Sequence, residues 1–147
     1  MMKEKSSGII LYYLDNEIPY FILLKYKTYW GFPKGIIENN ENELETALRE
    51  TIEETGINNI QLIKGFKYKQ KWFFKRENDF INKEATFFLG KTTKEDAAKT
   101  KISYEHESFV WLPFNKALER LKIKTNKEML EKAYEFIKKY EGQKKLA

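Results

Sequence analysis

The chain has 147 residues, with 27 basic and 22 acidic side chains, a net charge of +5 and 16% aromatic content. That length suits a single domain over residues 1–147, and nine Tyr, eleven Phe and three Trp argue against disorder. With no cysteine and one histidine, disulfide scaffolds, thiolate or His-rich zinc sites and Cys nucleophiles are excluded, leaving only a hard cation held by oxygen.

The apolar runs Gly8–Leu14 and Pro19–Leu24, separated by Asp15-Asn16-Glu17, predict a hairpin. Asn42–Thr55 reads as a helix, with Asn42 as cap, Glu45 completing a capping box and Gly56 as the stop. Asn59–Lys69, Ala85–Leu89 and Phe109–Leu112 predict strands, and polar Lys91–Lys101 predicts a loop. Two helices are expected last, Asn115–Leu121 and Asn126–Tyr140; in the second, Met129, Leu130, Ala133, Tyr134 and Ile137 follow helical spacing. The pattern predicts an α/β fold, a mixed sheet covered by helices.

Arg49, Arg76 and Arg120 are the only arginines, so the positive charge is read as a solvated Lys-rich surface that still attracts a small polyanion. No run is long enough to span a bilayer, which leads us to expect a soluble cytoplasmic protein with no membrane partner.

Glu38–Glu54 carries seven Glu against one Arg. On a helical wheel Leu44, Ala47, Leu48 and Ile52 share one side, while Glu50, Glu53 and Glu54 fall opposite, predicting an outward acidic face. Carboxylates at that spacing repel, Arg49 offsets only part of the repulsion, and an oxygen-liking divalent cation would convert it into coordination.

Gly35, Glu41, Arg49, Glu50, Glu53, Glu54 and Gly56 together give G-x5-E-x7-R-E-x-x-E-E-x-G, followed by Ile57. This spacing resembles the signature box of the Nudix hydrolases, here over residues 35–57. Trp30-Gly31-Phe32-Pro33-Lys34-Gly35 and Leu44-Glu45-Thr46-Ala47-Leu48-Arg49-Glu50-Thr51 are similar to the W-x-x-P-K-G and L-E-T-A-L-R-E-T segments of the asymmetrical dinucleoside-tetraphosphate hydrolases. Lys64-Gly65-Phe66-Lys67 and Ser103-Tyr104-Glu105-His106-Glu107, before Trp111-Leu112, extend the likeness over nearly the whole chain.

The resemblance implies an α/β/α sandwich and Mg²⁺- or Mn²⁺-dependent hydrolysis of a dinucleoside polyphosphate such as diadenosine tetraphosphate. Its alternatives are an RNA 5′-pyrophosphohydrolase, another Nudix nucleotide pyrophosphatase, or a non-catalytic nucleotide-binding domain. Carried over by position, Glu50, Glu53, Glu54, Glu105 and the Gly35 carbonyl would hold metal, and Arg49 would orient carboxylates. Arg49, Glu50, Glu54 and Glu105 would form the catalytic set; Lys34 and Lys83 would contact phosphates and Trp72 would stack on a base. Glu41 is assigned to organising the box, His106 to structural hydrogen bonding, and Tyr104 and Phe109 to packing. Four positions depart from the pattern: Asn39-Asn40 replaces Pro-Gly, Tyr29 replaces a histidine, and Asn126 stands where a second stacking aromatic is expected. A monomer or weak dimer is expected.

Overall fold

The computed structural model describes residues 2–146. In chain order the elements are β1 (Met2–Asp15), β2 (Ile18–Lys25), β3 (Trp30–Gly31), β4 (Lys34–Ile36), α1 (Glu43–Thr55), β5 (Gln61–Arg76), β6 (Asp79–Lys91), α2 (Lys94–Ala97), β7 (Phe109–Pro113), α3 (Phe114–Arg120) and α4 (Lys124–Leu146).

The expected hairpin forms, with Tyr12 opposite Phe21 and Asp15 opposite Ile18. Its two-residue turn puts Asn16 and Glu17 at φ 49° and 68°, the left-handed pair that matches strand twist and that Asn tolerates. The strands form one mixed sheet in the order β3-β2-β1-β6-β5, with β4 also on β1 and β7 also on β2. Among the described residues only β1 and β6 run parallel.

Alternation along the central strands generates the layers. Ile9, Leu11, Ile22 and Leu24 face Ala47 of α1 and Ile57 just beyond it. Their neighbours Ile10, Tyr12, Phe21 and Leu23 face Ala117, Leu121, Met129, Leu130, Ala133 and Ile137 around α3 and α4. A sheet covered on both sides needs apolar residues at every position, which is why these strands read as unbroken hydrophobic runs. The result is the expected α/β/α sandwich. Tyr12 donates a 2.7 Å hydrogen bond to Glu141, which also pairs with Lys91 at 2.9 Å, pinning α4 to the sheet.

Several elements exceed their predicted bounds. β1 begins before Gly8 because Lys3–Ser7 pair with β6 and, in part, with β4. β5 and β6 continue as a long antiparallel arm to the Arg76–Asp79 pair, where alternating Lys and aromatic residues had hidden the strand period. Lys91–Lys101 is not all loop: Lys91 ends β6, and Thr93 caps the short helix α2 by accepting from the Asp96 amide. Among the described residues no helix is long and apolar enough to cross a membrane.

The α1 cap matches its prediction. Asn42 accepts from the Glu45 amide, Glu45 accepts from the Asn42 amide, and Gly56 ends the helix at φ 72°. A β-carbon on Gly56 would also sit 3.2 Å from the Lys101 carbonyl oxygen. Gly56→Ala is therefore expected to lower the unfolding free energy by about 1–2 kcal/mol, measured by urea denaturation.

Candidate active site

Edge strand β4 organises the site through the two-residue period of a strand. Lys34 pairs with Gly8 and Gly35 with Ser7, so their outward directions lie on opposite faces of the sheet. On the α1 side, Gly35 lets Glu50 approach the strand: a β-carbon there would overlap the Glu50 carboxylate. The Lys34 amide, in the same stretch, donates to Glu54 Oε1 at 3.1 Å.

This geometry corrects the helical-wheel reading. Glu54 is only 4% exposed and, with Thr46, Ala47, Thr51 and Thr55, forms the buried face of α1. Leu44, Leu48 and Ile52 are only half-buried. Hydrophobicity alone rotated the helix wrongly, because its inward face is threonine and carboxylate. Of the three glutamates only Glu53 is exposed.

Arg49 ties the acidic residues together. Its Nε donates to Glu41 Oε2 at 2.6 Å and its Nη2 to Glu41 Oε1 at 3.0 Å, a bidentate pair. Nη1 reaches Glu50 at 3.1 Å and Glu53 at 3.3 Å. Glu41 also accepts from Thr46 and from the Glu38 amide, and hydrogen bonds from Arg49 and Thr46 hold its pKa down at about 2. The Glu38–Glu41 turn places Asn40 at φ 72°, so Asn serves there where Gly is usual.

Glu105 and His106 arrive from a loop fastened at both ends. The Lys101 and Ser103 amides bond Thr55 and Glu54 carbonyls at the end of α1, while Lys25 on β2 bonds Ser108 and Glu107. One ligating atom each of Glu54, Glu105 and His106 then lies within 4.8 Å of the others. His106 Nε2 is 3.3 Å from Glu54 Oε2, yet among the described residues neither imidazole nitrogen has a hydrogen-bond partner, contrary to the structural role predicted for it. Tyr104 is 97% exposed and packs on nothing, also against expectation, whereas Phe109 packs beneath α1 as predicted.

Sequence patterns did not single out Tyr26. Its ring stacks on Tyr29 at 4.8 Å, meets His106 edge-on at 4.7 Å, and its hydroxyl donates to the Phe32 carbonyl. Tyr26 and Tyr29 share one short loop, and only the structure reveals that His106, from a distant segment, meets them.

Burial, then repulsion from Glu50 and Glu105, raises the Glu54 pKa to about 8, and burial also raises that of Glu50. Carboxylates this disfavoured in their charged form, beside an imidazole without a partner, fit a divalent cation through both charge and donor type.

On the α4 face a cavity of about 450 Å³ is lined by Tyr29, Lys34, Gln70, Trp72, Lys83 and Asn126. It brings the three predicted substrate residues together. Lys34 Nζ lies 5.5 Å from the Trp72 ring centroid, and burial followed by the charge of Lys83 lowers its pKa. Lys83 also pairs with Glu4 at 3.5 Å. Tyr29 lines this cavity, while Asn126 is buried and accepts from Gln70 at 2.9 Å.

A NUDIX domain model matches residues 3–133. The chain belongs to the Nudix hydrolase family. It is 31% identical to the Mus musculus asymmetrical bis(5′-nucleosyl)-tetraphosphatase over 147 residues, covering 92% of this chain and 97% of that one. It is 27% identical to a Pelagibacter ubique RNA pyrophosphohydrolase, covering 88% of this chain and 90% of that one. In fold it matches the crystal structure of a C. elegans Ap4A hydrolase binary complex, with a TM-score of 0.79 at 23% identity over 91% of this chain and 97% of that one. The Nudix box thus corresponds to β4, the following turn and α1.

The raised Glu54 pKa has a defined sign for stability. The folded state of this Nudix hydrolase binds a proton that the unfolded chain releases near its ordinary value of 4.5, so in EDTA stability falls as pH rises from there to about 8. Glu54→Gln is expected to flatten that fall, and Mg²⁺ or Mn²⁺ to raise the wild-type melting temperature at pH 8 more than that of the variant.

Proposed function

We propose that this Nudix hydrolase cleaves dinucleoside polyphosphates, with diadenosine tetraphosphate as the representative substrate, giving a nucleoside triphosphate and a nucleoside monophosphate. The observation that carries this reading is the division of labour across β4: Lys34 enters a cavity with Trp72 and Lys83, while Gly35 and the Lys34 amide meet Glu50 and Glu54. A base, a phosphate chain and an acidic cluster can thus be served in sequence by one edge of the sheet.

In this reading Trp72 stacks on one base, and Tyr29 lines the same cavity. Lys34 and Lys83 hold phosphate oxygens as point charges. Glu50, Glu53, Glu54, Glu105 and the Gly35 carbonyl would hold Mg²⁺ or Mn²⁺, which when bound neutralises phosphate charge and acidifies water. Arg49, fixed by Glu41, keeps Glu50 and Glu53 aimed. The attacking water gives its proton to a carboxylate of the cluster, and no covalent intermediate with the chain is needed.

A second reading, removal of pyrophosphate from the 5′ end of RNA, is favoured by the Pelagibacter ubique relative. Chromatography of products from diadenosine tetraphosphate and from 5′-triphosphorylated RNA separates the two; faster release of pyrophosphate from RNA would overturn the first. Glu54→Gln is expected to lower turnover on the order of 100-fold or more while preserving the fold, checked by initial rates and circular dichroism. Trp72→Ala should raise KM for the dinucleotide about 5- to 150-fold with a smaller change in kcat.

A further inference from the structure

Beyond the first turn of α1 the sheet continues, among the described residues, without a helix on that face. Glu43, the first residue of α1, lies against Ser7 and Thr86, accepting from both hydroxyls. Strands β1, β6 and β5 run on past this point through Lys3, Phe80 and Lys75. Strand alternation puts Lys3 and Lys5 of β1, Phe80 of β6, and Lys69, Lys71, Phe73 and Lys75 of β5 on this bare side.

Phe73 is 64% exposed and Phe80 58% exposed. Phe73 stands opposite Asn82 and Phe80 opposite Lys75, which makes the two rings diagonal neighbours on one face. Lys75 Nζ lies 5.9 Å from the Phe80 centroid. Three carboxylates border this face: Glu84, buried and paired with Lys69 at 3.1 Å, its pKa lowered first by that hydrogen bond; Glu43, paired with Lys67 at 3.3 Å; and Glu38, which lines a hollow with Lys3 and Lys5. Among the described residues, Lys3, Lys5, Lys71 and Lys75 form no ion pair, so the patch is net positive and carries two exposed aromatic rings. Lysines alone would be a solvated surface. Large apolar rings left exposed among them are what a solvated surface avoids and what a chain of stackable bases and phosphates uses.

We propose that this bare face of the β5–β6 arm binds single-stranded nucleic acid, with Phe73 and Phe80 stacking on bases and Lys75, Lys3 and Lys5 contacting phosphates. It lies on the opposite side of the sheet from the Trp72 cavity and on the same side as the acidic cluster.

The test is fluorescence anisotropy with a short, labelled 5′-hydroxyl RNA and its DNA counterpart in EDTA, so that neither a terminal phosphate nor catalysis contributes. Binding of either strand, with an affinity lowered about tenfold by Phe73→Ala or Phe80→Ala, supports the proposal. Lys75→Ala should reduce the slope of log affinity against log salt by about 0.7, the single-strand value for one phosphate. Dinucleotide hydrolysis should be unchanged in all three variants, so loss of strand binding is distinguishable from failure of the proposed reaction. Equal binding of a blunt duplex, unchanged affinity in both Phe variants, or conversion of a dimer to a monomer by Phe73→Ala in light scattering would each overturn it. Capture by anionic vesicles through the same two rings, with no strand binding, would overturn it as well.

Discussion

Two carboxylates held against a strand backbone impose the main constraint on this molecule. Glu50 and Glu54 lie inside the seam between α1 and β4, where Gly35 leaves room for one and the Lys34 amide bonds the other. Burying like charges beside each other is unfavourable unless geometry is fixed from outside. The Arg49–Glu41 pair, Thr46 and the capped first turn of α1 supply that fixation, and the Glu105 loop closes over the far end. Where both groups ionise they repel, so this seam suits a divalent cation whose coordination would offset that repulsion.

Much of the fold is readable from the sequence, for identifiable reasons. The hairpin and α1 carry local punctuation, Asn16-Glu17, Asn42, Glu45 and Gly56, whose effect does not depend on the rest of the chain. The α4 stripe is legible because Met129, Leu130, Ala133 and Ile137 all meet one apolar layer. The β5–β6 arm is less legible, because Lys and aromatic residues occupy both of its faces and no single side is reserved for a core.

The site shows the same division. Residues in the box are found by spacing, yet their orientation is not: a wheel built on Leu44, Leu48 and Ile52 turns Glu54 toward solvent, when threonines and that glutamate face the sheet. His106 is visible as a residue but not as a neighbour of Glu54, since that contact depends on loop fastening across β2 and α1. Tyr29, read as a departure, lines the cavity with Trp72, so an aromatic wall survives the change. Asn126 occupies its place as a buried partner of Gln70 and offers no ring.

Because Lys34 and Gly35 are consecutive on β4, the two chemistries proposed for them keep a fixed register. Adding or removing one amino acid in that short edge would thrust an ammonium among the glutamates and leave the aromatic hollow without its cation. Substrate preference in such a scaffold is therefore free to change through the walls of the hollow, while the hinge point between anion and cation chemistry stays locked in phase.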